Sequence, residues 1–279
     1  DSTDAFYDQD NSGEGLLYGD STFALQEENM LADTTLPSWQ SQNPLPTGNN
    51  LYAVDLLNRD TAVIVGQPGT ILATSDGGAN WNPRYGPAGV GGFLAAVGLV
   101  NPDLAFAVGS FGSIVRTTDA GGTWHLLPSN TSSALFGVHF IDDLTGWVVG
   151  RLGTVRYTVD GGNTWSVRGL ATSKNLNEIR FADPDHGWIV GDSGTIFATT
   201  DGGLSWNSQT SGTFKHLNSV SFVNTLRGFA VGQSGTVIAT TDGGNTWLSF
   251  PPLTSGFLYA VQFIDVNTGW AAGDAGRIF

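Results

Sequence analysis

Short stretches in which apolar and polar residues alternate recur along the chain at a near-constant interval, and they predict strands rather than helices. One of them, Leu135-Phe136-Gly137-Val138-His139-Phe140, places Leu, Val and Phe on a single face. A nearly unbroken apolar run follows, Gly146-Trp147-Val148-Val149-Gly150, suited to burial on both faces of a sheet. A third strand comes after a turn framed by two glycines, as in Gly194-Thr195-Ile196-Phe197-Ala198-Thr199, and a fourth is predicted to start at a tryptophan. The glycine frame recurs at Gly66/Gly69, Gly109/Gly112, Gly150/Gly153, Gly191/Gly194, Gly232/Gly235 and Gly273/Gly276, in steps of 43 residues once and 41 thereafter. Leu51, Leu94, Leu135, Leu176, Leu217 and Leu258 open the six units in the same register. Repeated four-stranded units of about 40–50 residues predict an all-β fold, a β-propeller of antiparallel blades.

Between the third and fourth strands stands Thr-x-Asp-x-Gly-x-(Thr/Ser/Asn)-Trp, at Thr74–Trp81, Thr117–Trp124, Thr158–Trp165, Thr199–Trp206 and Thr240–Trp247. A carboxylate here can accept hydrogen bonds from turn N–H groups, the glycine supplies positive φ, and the tryptophan can pin the turn onto a neighbouring sheet. Asp76, Asp119, Asp160, Asp201 and Asp242, with Trp81, Trp124, Trp165, Trp206 and Trp247, are therefore read as structural. A catalytic acid or a cation ligand is needed once, not five times at fixed spacing. Phe279 falls inside the third strand of the sixth unit, and Ser38-Trp39-Gln40-Ser41 stands in fourth-strand register 42 residues before Trp81. That segment is expected to complete the last blade and close a six-bladed ring by pairing the two chain ends. Seven blades are expected instead if Phe279 is a truncation.

The tryptophan element resembles the Asp-box, or bacterial neuraminidase repeat. The wider unit, at its best in Phe181-Ala182-Asp183 through Trp206 and in Phe263-Ile264-Asp265 through Gly276, is similar to the photosystem II stability and assembly factor family, which also includes many exported bacterial relatives. The resemblance covers residues 37–279. It implies a non-enzymatic, extracytoplasmic propeller that helps assemble or decorate a membrane or cell-envelope protein complex, located in the bacterial periplasm or at the cell surface. Photosynthetic members carry an arginine-rich patch facing their client. Here Arg84, Arg116, Arg151, Arg156, Arg168, Lys174, Arg180, Lys215 and Arg227 are spread over the units, so an exported bacterial relative is the expectation.

Composition narrows this further. The 39 glycines among 279 residues, with only 13% charged, exclude a helical bundle, since glycine costs a helix interior about 1 kcal/mol. Nine Trp, sixteen Phe and 40% hydrophobic residues support a large core. No cysteine is present, which removes disulfides and thiolate chemistry, and no apolar run approaches ~18 residues. The net charge of −14 argues against nucleic acid as partner. It is unevenly placed. Residues 1–36 hold nine acids and no base, whereas in 37–279 the acids other than the five Asp-box aspartates balance the bases. The chain is thus read as an acidic, aromatic extension (1–36) joined to a propeller (37–279). A start at Asp1 is read as a processed export product, its signal peptide removed, or as a fragment.

Other chemistry is thin. A sialidase would need an early Arg-Ile-Pro motif, an arginine triad and a Tyr/Glu pair. The nearest match is Arg277-Ile278-Phe279, and Glu178 is the one glutamate beyond residue 28. Xyloglucanase-like enzymes need two propellers. A different glycosidase could use Asp183 or Asp185 with Asp192, and a carbohydrate-binding or glycoside-hydrolase propeller is the alternative reading. His125, His139, His186 and His216 occupy different places in their units and are read as surface or packing residues. Asp8-x-Asp10-x-Ser12-Gly13 starts like a calcium loop but has Gly19 at the twelfth position. No cofactor or metal is expected. Candidate partner contacts are Phe6, Tyr7, Tyr18 and Phe23 of the extension, which is expected to dock in extended form with at most a short helix near 21–32. Arg84, Tyr85, Phe111, Arg151, Lys174 and Lys215 are candidates on the loops. The turns between second and third strands are expected to share one rim with the inter-blade connections, and the Asp-boxes to occupy the other.

Overall fold

The computed structural model describes residues 47–279 apart from Ala88. The first blade is β1 (Leu51–Leu56), β2 (Ala62–Gly66), β3 (Thr70–Thr74) and β4 (Asn82–Tyr85), and the second is β5 (Leu94–Leu99), β6 (Ala105–Gly109), β7 (Ile114–Thr117) and β8 (His125–Leu127). The third runs through β9 (Leu135–Phe140), β10 (Gly146–Gly150), β11 (Val155–Thr158) and β12 (Ser166–Val167). The fourth is β13 (Leu176–Phe181), β14 (Gly187–Gly191), β15 (Thr195–Thr199) and β16 (Asn207–Thr210). The fifth is β17 (Leu217–Phe222), β18 (Gly228–Gly232), β19 (Val237–Thr240) and β20 (Leu248–Phe250), and the sixth has β21 (Leu258–Phe263) and β22 (Gly269–Gly273). Every sheet pairs its strands antiparallel and in sequence order, so five blades are four-stranded and one is two-stranded. No α-helix occurs among the described residues. The described residues thus form a β-propeller with six blades.

The fourth strands begin one residue after the tryptophan, not at it. Trp124 and Trp165 leave the sheet plane to bury themselves between blades, with 5% and 3% of their surface exposed. Trp124 joins Val63, Val65 and Ile71 of the preceding blade with Leu94 and Val97 of its own. Trp165 joins Phe106 and Ile114 in the same way. From the second blade onward each interface also carries a pair of packed aromatic rings. Phe140 of β9 lies flat on Phe106 of β6, with centroids 3.9 Å apart, and meets Trp165 edge-on at 6.1 Å. The pattern repeats with Trp147, Phe181 and Trp206, and with Trp188, Phe222 and Trp247. The ring at the end of the first strand also explains the glycine opening the second: a Cβ on Gly146 would stand 2.6 Å from the Phe140 ring.

The first strands lie side by side in chain order, and backbone groups of several face side chains of the preceding blade's first strand. Side chains satisfy them. Asp55 accepts from the Leu99 N–H (2.7 Å), Glu178 from Val220 (2.7 Å), Ser219 from Val261 (3.1 Å) and Ser221 from Phe263 (2.9 Å). The amides of Asn177 and Asn218 donate to the carbonyls of Leu217 and Leu258. These bonds stitch blade to blade where a ladder would otherwise have an open edge.

The two terminal blades differ from the rest. On β1, Val54 and Leu56 are 55% and 61% exposed, whereas Val138, in the register of Val54, is 4% exposed. In the sixth blade a single bridge, Ala272 to Ile278, marks the start of a third strand. The segment expected to supply its fourth strand, around Trp39, lies outside the described residues, as do residues 1–36 and the helix expected near 21–32.

Candidate functional site

The blades present two rims, and their hydrogen bonds separate them. On one, each Asp-box turn is tied to the loop between first and second strands, as where Gly161 N–H donates to Leu144 O (2.9 Å) and Gly202 N–H to Asp185 O (2.9 Å). On the other, each turn between second and third strands is tied to an inter-blade connection. Arg151 N–H donates to Ala134 O (2.8 Å) and Gly153 N–H to Lys174 O (2.7 Å).

Within an Asp-box four bonds recur. In the fourth blade the Thr199 hydroxyl donates to Asp201 Oδ1 (2.7 Å) and accepts from Gly203 N–H (2.9 Å), while Ser205 gives Asp201 its N–H (2.9 Å) and its hydroxyl (2.5 Å). The same set surrounds Asp76, Asp119, Asp160 and Asp242. Hydrogen bonds to the ionised form favour it. Asp119 is held down to about 2, chiefly by the Thr123 N–H, and Asp160 and Asp201 likewise to about 2, chiefly by the hydroxyls of Thr164 and Ser205. Asp76 is lowered by the Asn80 N–H above all. At Asp242 burial pushes upward and is outweighed by the combined bonds from Thr246 and Thr240. Carboxylates tied on both oxygens and kept ionised make turn clamps and poor proton donors.

The candidate acid pair is taken apart by the fold. Asp183 and Asp185 lie on the Asp-box rim, and Asp192 on the other, with all five residues of β14 between them. At about 3.3 Å per extended residue that exceeds the 5–9.5 Å between paired glycosidase carboxyls. Each also has its own partners. Asp183 takes the N–H groups of Asp185 and His186 and lies 2.9 Å from His186 Nδ1. Asp192 takes the amides of Asn175 and Asn177 and lies 3.0 Å from His216 Nδ1. Glu178 is engaged by Arg180 Nε at 2.9 Å. His139 stands in the first strand of the third blade and is lowered to about 3, by burial first and then by the charge of Arg180, while His125 is exposed. Among the described residues no three His, Asp or Glu side chains gather in a way that could hold a metal ion.

Charge divides between the rims. The Asp-box rim carries Asp60, Asp76, Asp103, Asp119, Asp142, Asp143, Asp160, Asp183, Asp185, Asp201, Asp242 and Asp265 in its loops, against Arg59 and Arg227. The turn rim carries Arg151, Arg168, Lys174, Lys215 and Arg277 against Asp192 and Asp274. Five of the eleven bases, scattered along the chain, are thus brought by the fold to one rim. Among the candidate contacts, Arg151 and Lys174 meet at the third-blade turn, Lys215 stands on the next connection and Phe111 on the turn before. Arg84 and Tyr85 are set apart in β4, at the outer edge of the first blade. Phe6, Tyr7, Tyr18 and Phe23 lie outside the described residues. Two large apolar residues not counted as contacts in the sequence stand beside the cations: Leu152, 64% exposed, and Phe214, 93% exposed. Their signal was a bulky side chain at a tip where most other units place Ser or Ala.

Comparison with known proteins agrees with this architecture. The sequence model of the family described as photosynthesis system II assembly factor YCF48 matches residues 31–132 and 169–255. The fold is similar to YCF48 from Cyanidioschyzon merolae (TM-score 0.60, 20% identity, covering 85% of this chain and 97% of that one). It is also similar to YCF48 bound to D1 peptide (0.50, 17%, 86% and 97%). A GH74 enzyme from Niastella koreensis shares the fold as well (0.59, 16%, 80% of this chain), but this chain covers 45% of it. No protein of curated function matches the sequence. The family match spans more than half of the residues, and the chain belongs to the YCF48 family of photosynthesis system II assembly factors.

Proposed function

We propose that the protein is a non-enzymatic, exported scaffold that binds a subunit of a membrane or cell-envelope protein complex during its assembly. The observation that carries this reading is the fate of the carboxylates in a chain of the YCF48 family. Those that recur are saturated as turn clamps, and the pair that could have served a hydrolase is divided between opposite rims. A relative with the same fold is described as bound to D1 peptide, which supports a peptide or protein client rather than a small substrate. Partner contact is assigned to residues 1–36, whose nine acids and no base stand beside Phe6, Tyr7, Tyr18 and Phe23. The setting is extracytoplasmic.

Deleting residues 1–36 is expected to abolish co-purification of the partner from native membranes while thermal unfolding of the propeller stays unchanged. Retained capture would reject the role of the extension. The likeness to a GH74 enzyme favours the second reading, a glycan-binding or glycan-cleaving propeller. A glycan panel with turnover assays separates the two, since hydrolysis abolished by Asp183→Asn or Asp192→Asn would replace the scaffold reading.

A further inference from the structure

We propose that the turn rim of the second to fifth blades docks on an anionic lipid bilayer. Three large apolar side chains stand on separate tips of this rim: Phe111 (74% exposed), Leu152 (64%) and Phe214 (93%). The turn itself does not call for them. Phe111 and Leu152 sit at φ 57° and 56°, a region that bulky residues rarely enter, and Ser193, Ser234 and Ala275 make the same turn with small side chains. Large apolar groups held in left-handed turns and exposed to water point to a contact made outside the chain.

Cations accompany the tips. Arg151 precedes Leu152, Lys215 follows Phe214, and Lys174 stands beside the third-blade turn through its carbonyl bond to Gly153 N–H. All three are exposed, and none has an acidic partner among the described residues. The two carboxylates of the rim are occupied, Asp192 by Asn175 and His216, and Asp274 by the Phe257 N–H and the Tyr259 hydroxyl.

A bilayer fits this chemistry better than a peptide does. Two tips project from hairpin turns and the third from an inter-blade connection, and all interleave with cations, so apolar groups can enter the acyl boundary while Lys and Arg meet anionic headgroups. Leu144, Leu204 and Leu226 on the opposite rim are comparably exposed, but they stand among carboxylates, which an anionic surface repels. Strands of five or six residues separate the rims by about 17–20 Å, beyond two screening lengths of about 8 Å at physiological salt. The acidic rim therefore sets orientation without cancelling the attraction.

The test is co-sedimentation of the full chain with phosphatidylcholine vesicles, with and without phosphatidylglycerol, at low and high salt. Binding is expected to require phosphatidylglycerol and to weaken with salt. Replacing Phe111, Leu152 and Phe214 together by Ser should lower partitioning by at least about tenfold. Arg151→Gln, Lys174→Gln and Lys215→Gln should each lower it about fivefold at low salt. Leu144→Ser, Leu204→Ser and Leu226→Ser should leave it unchanged, with thermal unfolding confirming that every variant is folded. Absent vesicle binding, equal binding to neutral vesicles, or equal loss from the opposite-rim variants would overturn the proposal. So would rim variants that lose partner capture but keep vesicle binding, which would make the rim a protein-docking face. Deleting residues 1–36 should leave vesicle binding intact, so failure of the scaffold reading is told apart from failure of this one.

Discussion

On the Asp-box rim the first five blades repeat the same four hydrogen bonds around one carboxylate. On the turn rim the equivalent tip is Pro68, Phe111, Leu152, Ser193, Ser234 or Ala275. The difference lies in what each turn must satisfy. An Asp-box bends two consecutive residues into positive φ, buries a threonine hydroxyl and leaves several N–H groups in need of acceptors, so threonine, aspartate and a hydroxyl or amide four residues on are all required. The turn on the other rim asks only for its two framing glycines, the first because a Cβ on Gly150 would stand 2.2 Å from Ala134 O, and for backbone bonds to the connection beside it. Five of its tips accept whatever residue tolerates the left-handed region. At the sixth, Pro68, whose ring fixes φ, the Gln67–Pro68 peptide is cis. One rim is thus chemically committed to the fold, and the other is free to carry function.

Strong acid should weaken the committed rim. The Asp-box carboxyls are lowered in the folded state, so the stability they add is complete above about pH 4, the ordinary carboxylate range, and is lost as pH falls through about 2. His139 acts over a different window. Its folded value is lowered to about 3, so the unfolded chain binds the proton first, and stability declines as pH falls from about 6.5 toward 3. Urea midpoints measured against pH should therefore show two limbs. His139→Gln should flatten the upper limb and leave the lower one, and Asp201→Asn should reduce the lower limb alone. A single limb unaffected by either substitution would contradict this assignment.

A smaller but cleaner contrast comes from single side chains. Thr199 is 1% exposed and serves both Asp201 and the Gly203 N–H. Thr199→Val keeps its shape and strands a buried donor, so it should cost about 2 kcal/mol in urea denaturation. Ser193→Ala, at a tip of the other rim, should stay within about 0.5 kcal/mol. Equal losses would mean that the two rims are not built by different requirements.

Much of the architecture is legible in the sequence because the requirement repeats. Leu51 through Leu258, the glycine frames and the five Asp-boxes mark unit length, strand order and both rims. The segregation of charge is harder to see. Lys174 and Lys215 each stand two residues before the leucine that opens a unit, but Arg151 falls at another place, and a running sum along the chain mixes the loops of opposite rims. The stitching between first strands is less visible still. Glu178 bonds Val220 and Ser219 bonds Val261 across 42 residues, about one repeat, and neither carries a local signal. The stacks of Phe140, Phe181 and Phe222 on the preceding blade are hidden for the same reason, since a phenylalanine ending a strand is unremarkable until the next sheet is placed beside it. Leu152 and Phe214 were visible only as loop tips, because exposure is a property of the fold and not of the residue.

The finest test of the comparison lies inside the committed rim, where one blade departs from the pattern. Four Asp-boxes place glycine directly after the aspartate, at φ 66–74°, whereas the second blade has Ala120 there at φ 56°. A side chain in this region costs roughly 1–2 kcal/mol against the right-handed alternative, and glycine returns part of that through the greater freedom of its unfolded chain. Ala120 is exposed, so removing its methyl group forfeits little packing. Ala120→Gly should therefore stabilise the protein by about 0.5–1 kcal/mol, read as a rise in the urea midpoint without a change in slope. A loss of stability would mean that the packing of the Ala120 methyl group outweighs the strain of its backbone angle. The Asp-box turns would then be constrained by packing as well as by hydrogen bonds.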